Sequence, residues 1–145
     1  MRSDSLKKRV MSLLENERKM NYLYAPATLT EKRRIYLELC DVIGDENRLE
    51  LFDALHRMSA RLRRFGNPEI VILLGVTSKD LPSIVSIKEI FLDTELIILI
   101  ADGDQSSFDT AIRLKPKYIG MINGDLDKVV PVVKKLLQKS RRNEN

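Results

Sequence analysis

The chain has no tryptophan, one cysteine and one histidine among its 145 residues, and only six glycines. One cysteine, Cys40, excludes an internal disulfide. One Cys and one His exclude the usual zinc ligand sets. The six glycines are scattered, and "GVTSKD" (75–80) lacks the spacing of a phosphate-binding loop. No apolar run reaches 18 residues, so no membrane-spanning helix is expected. The N-terminal "MRSDSLKKRVMSLLENERKM" has no apolar core of the kind a secretory signal needs. These absences point to a reduced, cytoplasmic protein without membrane association.

What is present is a soluble-domain composition. Hydrophobic residues make up 43% and charged residues 32%, which is enough for one sizeable core. The formal net charge is +4 and the pI about 9.2. That balance permits an acidic partner without requiring one.

Two runs read as strands, "EIVILL" (Glu69–Leu74) and "ELIILI" (Glu95–Ile100). Both are continuously aliphatic, as in a parallel sheet covered by helices on both faces. "KYIGMIN" (Lys117–Asn123) is a weaker third. Helical patterns follow each of them. "LPSIVSIKEIFLD" has Pro82 in its first turn. In "SSFDTAIRLK", Ser106 and Asp109 stand at capping-box spacing. "DLDKVVPVVKKLLQKSRR" has Asp125 as an expected N-cap, with Pro131 kinking the helix or delaying its start. Alternating strands and helices predict a parallel sheet with right-handed crossovers.

The first half is read as "MNYLYA" (Met20–Ala25), a short strand, followed by a helix in "LTEKRRIYLELCDVIG". Thr28 and Glu31 stand at capping-box spacing there. Ile35, Leu39, Val42 and Ile43 form its apolar stripe, Cys40 is read as a small buried hydrophobe, and Gly44 suits the C-cap. "NRLELFDA" is then a strand and "LHRMSARLRRFG" a helix ending at Gly66. The competing reading makes Asn47–Arg64 one helix. Residues 1–20 form an added amphipathic helix, 21–142 the main domain, and 143–145 a disordered tail.

In this order the chain resembles the receiver domain of bacterial response regulators. "NPEIVILL" is similar to the family's strand leading to the phosphoacceptor. "TELIILIA" is similar to its fourth strand, and "KPKYIGMIN" to the segment carrying its Lys-Pro pair. The resemblance implies a flavodoxin-like α/β fold: a doubly wound, five-stranded parallel sheet in three layers. It also locates the family's chemistry. The phosphoacceptor aspartate is matched by Leu74, and the two acidic residues that hold Mg²⁺ by Ala25 and Pro26. The switch Thr or Ser is matched by Ile100, and the lysine by Ile122. Phosphoryl transfer to a carboxylate needs the carboxylate and a metal held by oxygen ligands. The resemblance therefore implies a degenerate pseudo-receiver: no catalysis, no cofactor, and a role in protein–protein interaction within bacterial signalling.

Further sites are weighed beside this one. The family's dimer or partner face is matched by Phe108, Ile112, Tyr118 and Val129, so a homodimer is expected. The partner protein itself is not identified by the sequence. Arg57, Arg61 and Arg64 form a basic helical patch, beside His56 and Arg63, that suits nucleic acid or an acidic partner. No aromatic residues are interleaved there to stack on bases, so nucleic acid is the less favoured reading. Lys134, Lys135, Lys139, Arg141 and Arg142 form a second basic group, and Lys7, Lys8 and Arg9 a third. Asp102 and Asp104 in "ADGDQSS", with Asp80 or Asp125, are candidates for a metal or phosphate-ester site. A solvated turn with a helix cap at Ser106 is the favoured reading, because no nearby nucleophile or histidine completes a mechanism.

Overall fold

A computed structural model describes residues 6–7 and 19–143. Apart from Leu6–Lys7 and Lys19–Met20, the helix expected over residues 1–20 lies outside the described residues. Five strands form one sheet: β1 (Asn21–Tyr24), β2 (Leu49–Phe52), β3 (Ile70–Val76), β4 (Glu95–Ile100) and β5 (Tyr118–Met121). They pair in the order β2-β1-β3-β4-β5, every pair parallel. The connecting helices are α1 (Lys32–Ile43), α2 (Leu55–Phe65), α3 (Leu81–Ser86), α4 (Gln105–Ile112) and α5 (Val129–Asn143). This is the flavodoxin-like fold expected from the sequence. Leu49–Phe52 is a strand, so strand plus helix holds over the single-helix alternative.

The side chains of β3 explain why the layers form. Successive residues point to opposite faces of a strand. Ile70, Ile72 and Leu74 therefore join Ile35, Leu39, Val129 and Val133 under α1 and α5. Val71 and Leu73 join Met58, Leu62, Leu81, Ile84 and Ala111 under α2, α3 and α4. All seven residues of β3 are buried. Complete burial of each aliphatic side chain stabilises by about 1.5–3 kcal/mol relative to exposure.

The alternation breaks at Gly75. Leu74 pairs with Leu99, but Val76, not Gly75, pairs with Ile100. Gly75 is an extra bulge residue at φ +72°, a conformation open to glycine and strained for other residues. The bulge turns Val76 to the α2–α4 face, where it packs with Ile98 and Ile100. The Ala101 N–H then donates to the Val76 carbonyl at 2.8 Å. The strand thus runs two residues beyond its expected end at Leu74.

Several helix ends differ from expectation. Helix α1 begins at Lys32 with no side-chain cap, so the Thr28–Glu31 capping box does not form. Backbone turns close that end instead: Pro26 and Leu29 carbonyls accept from Leu29 and Lys32 N–H at 3.0 and 3.2 Å. Its C-cap is Gly44 in the left-handed region, as expected. The N-cap of α4 is Asp104, not Ser106, and Asp109 accepts from the Gln105 side chain at 3.0 Å. Pro131 falls in the first turn of α5, which starts only at Val129. That helix includes Asn143, placing one residue of the expected tail in regular structure. Cys40 is half-buried against the α1–α5 layer.

Gly75 is a direct test of this geometry. A Cβ there would meet Pro26 Cγ at 3.3 Å in addition to the unfavourable φ. Gly75→Ala is expected to destabilise by about 1–3 kcal/mol. Gly44→Ala, also at positive φ but with nothing within 4 Å, should cost about 1 kcal/mol. Urea unfolding of both variants separates the steric contribution from the conformational one.

Candidate functional site

In an open parallel sheet, ligands bind outside the carboxyl ends of the strands where the chain order reverses. Here that point lies between β1 and β3. α1 leaves β1 toward one face, and α3 leaves β3 toward the other. The residues at this point are Ala25, Pro26, Leu74 and Gly75. Ala25 and Leu74 have no exposed surface and share the α1–α5 layer. The Ala25 N–H donates to the Phe52 carbonyl at 3.0 Å. Pro26 lies against Gly75. The switch point is therefore closed by hydrocarbon and backbone.

The other two matched positions divide. Ile122, half-buried, follows β5 directly and packs on the same layer as Ala25 and Leu74. Ile100 has no exposed surface and faces the opposite layer. The structure thus brings three of the four positions into one cluster and sends the fourth through the sheet. Each of the four is apolar and at least half-buried.

Five aspartates stand on or near the loops around this pole, and three are committed to their own loops. Asp80 Oδ2 accepts from the Thr77 N–H at 3.0 Å and its hydroxyl at 2.9 Å. Asp104 Oδ1 accepts from the Ser107 N–H at 2.7 Å. Ser107 beside the carboxylate lowers the Asp104 pKa. Asp125 does not cap the following helix as expected. Its Oδ2 reaches back to the Met121 N–H at 2.8 Å, and Lys128 Nζ lies 3.0 Å from Oδ1. The Met121 N–H and then Lys128 lower the Asp125 pKa. Asp53 and Asp102 are exposed. Among the described residues no acidic, His or Cys cluster is placed to hold a metal ion. The residues that the resemblance matches to a receiver's Mg²⁺ ligands, Ala25 and Pro26, carry no carboxylate, and three of the five nearby aspartates are engaged in their own loops.

Tyr24 was not singled out by sequence reasoning. It is a buried ring at the end of β1, and burial first, then Asp80 and Asp53, raises its hydroxyl pKa. Its ring packs in the α2–α4 layer, across the sheet from Ala25 and Leu74. Read as part of an apolar strand, it carries no separate sequence signal.

The remaining candidates separate clearly. Val129 has no exposed surface and belongs to the core, which corrects its assignment to an interface. Phe108 and Tyr118 are half-buried on opposite faces of the sheet. Ile112 is 55% exposed. Arg57, Arg61 and Arg64 line a cleft of about 490 Å³ beside β2. Glu50 and Asp53 share that cleft, and Arg61 pairs with Glu50 at 3.0 Å. Arg61 and Arg64 also stack over Phe65 at 5.5 and 5.3 Å. Two of the three guanidiniums are thus engaged within the chain. His56 is exposed. No described helix is long and apolar enough to cross a membrane.

No family model matches the chain, and no curated protein matches it significantly. Solved structures do match. A pilus assembly-related protein from Burkholderia pseudomallei superposes with a TM-score of 0.58, covering 81% of this chain and 89% of its own, at 11% identity. A response regulator from Thermotoga maritima superposes with a TM-score of 0.52, covering 83% and 98%, at 18% identity. Likeness at such identities establishes a shared fold, the receiver-like, flavodoxin-like arrangement.

Leu74 tests the closed pole. Leu74→Ala should destabilise by about 2–5 kcal/mol, the usual range for a buried leucine. Leu74→Asp should cost at least as much, because a carboxyl enters hydrocarbon with no partner. Thermal or urea unfolding measures both. A stable aspartate variant would mean that the pole is open to solvent.

Proposed function

We propose that this protein is a pseudo-receiver: a non-catalytic, phosphorylation-independent module that regulates partners by binding them in a bacterial signalling pathway. One observation carries this reading. At the switch point between β1 and β3, where a receiver needs carboxylates, the chain has Ala25 and Leu74 buried in one layer and Pro26 against Gly75. An alkane cannot accept a phosphoryl group, and a methyl group cannot neutralise its charge. The fold is retained while the reacting groups are absent. The names of the structural neighbours, a response regulator and a pilus assembly-related protein, are compatible with a regulatory role.

Acetyl phosphate with Mg²⁺ is expected to leave the mass of the intact protein unchanged. A labile phosphoryl adduct seen by mass spectrometry would refute the proposal.

The module is also proposed to be a homodimer through α4 and the outer edge of β5. Strand β5 ends the sheet, so among the described residues one side of its backbone has no neighbouring strand. Ile112, exposed on α4, and half-buried Phe108 lie on the helix next to that edge. An unpaired edge beside exposed apolar surface is suited to a second copy. Ile112→Glu should convert the dimer to monomer in sedimentation equilibrium, with little change in stability. A wild-type protein that sediments as a monomer would remove this part of the proposal.

A further inference from the structure

The opposite end of the sheet carries a site of different character. The loop before β4 and the loop before β5 enclose a groove of about 380 Å³. Four cations line it: Lys88, Arg113, Lys115 and Lys117, all exposed. One acid, Glu89, lies among them. Lys117 Nζ is 4.0 Å from Glu95. Lys88, Arg113 and Lys115 have no ion-pair partner among the described residues. Leu92 lies in the same groove and is 77% exposed, the most exposed large apolar side chain described. Phe91 and Leu114 form a buried floor.

Lys115 stands out within this set. It has φ +53°, one of two non-glycine residues described with positive φ. The other, Asn67, is of a type that tolerates this region, whereas lysine is not. The conformation is held by the Lys115 N–H donating to the Ile112 carbonyl at 2.9 Å. Glycine would fit this turn with less strain. The chain instead keeps a long cation there and aims it into a basic groove.

We infer that this groove docks an acidic linear segment of a partner protein, with carboxylates on Lys88, Arg113 and Lys115 and one aliphatic side chain against Leu92. Charge complementarity selects an anionic occupant. The exposed leucine selects a polypeptide, since a nucleic-acid strand would use an exposed aromatic ring for stacking, and Phe91 is buried. The boundary sets the direction of binding. Beyond Thr94 lies a second cleft, of about 410 Å³, lined by Lys19, Glu69, Asp93 and Glu95. Arg48 pairs with Glu69 and Lys117 with Glu95, so Asp93 is the carboxylate that disfavours an acidic segment on that side, while the cations hold it on the α4 side. The groove is at the pole opposite Leu74, so its binding does not depend on whether Leu74's pole accepts phosphate.

The test uses full-length protein and a fluorescein-labelled peptide, Asp-Glu-Glu-Leu-Glu-Asp, read by anisotropy. Saturable binding is expected, weakening with salt. Arg113→Glu with Lys115→Glu should weaken it by about tenfold or more. Lys134→Glu with Lys135→Glu, on a different surface, should leave it unchanged. Replacing the peptide's leucine with glycine should also weaken binding. Lys115→Gly supplies a second variant: it relieves the backbone, so the melting temperature should hold or rise while affinity falls. No saturable binding, or binding indifferent to the Arg113 and Lys115 changes, would overturn the inference. Tighter binding of labelled single-stranded oligothymidylate through the same residues would overturn it in favour of nucleic acid.

Discussion

The contact between Pro26 and the bulged Gly75 governs the carboxyl end of this molecule. Gly75 at φ +72° lets the chain insert one residue into β3 without losing its pairing to β4. Pro26 covers the space that a side chain at 75 would occupy. Because of the bulge, Val76 turns with Ile98 and Ile100 to the α2–α4 layer, while Leu74 stays with Ala25 under α1 and α5. The closed switch point and the extended pairing with β4 follow from the same two residues.

This closure changes what the fold can do. A receiver-like sheet normally spends its carboxyl end on polar chemistry. Here three of the aspartates around that end, Asp80, Asp104 and Asp125, serve local structure, tying Thr77, Ser107 and Met121 into their loops. They shape the surface without converging on a point. The amino end is no less charged, and its charges are unevenly shared. Lys88, Arg113, Lys115 and Lys117 outnumber Glu89 in one cleft, and Glu69, Asp93 and Glu95 outnumber Lys19 in the next. With hydrocarbon at one pole and a charged groove at the other, the activity proposed for this architecture is binding.

Much of the fold could be read from local pattern, because buried parallel strands impose it. The aliphatic runs in β3 and β4 have no exposed face, and composition alone announces them. Strand β2 was harder, since "LELF" fits helical spacing too, and only pairing with β1 decides it. The bulge was not legible: a glycine after an aliphatic run reads as the strand's end. Asp104 was passed over as a cap because Ser106 offered an equally good spacing. At the site, the apolar character of Ala25, Leu74, Ile100 and Ile122 was legible by resemblance, but their division between two layers was not. That division depends on each residue's parity along its own strand. Val129 read as interface because an apolar residue at a helix start has no local sign of which way it faces. The basic groove joins segments 21 or more residues apart, from Lys88–Leu92 to Arg113–Lys117, so it exists only in the folded chain.

The central claim is that the carboxyl pole between β1 and β3 has no receiver chemistry. The most direct measurement is the amide NMR spectrum of the labelled protein, titrated with Mg²⁺ and then with beryllium fluoride, a mimic of a bound phosphoryl group. The account predicts no saturable shift at Ala25, Leu74, Gly75 or Ala101. Saturable, Mg²⁺-dependent shifts at those amides would contradict it and would show that the pole opens to bind an anion.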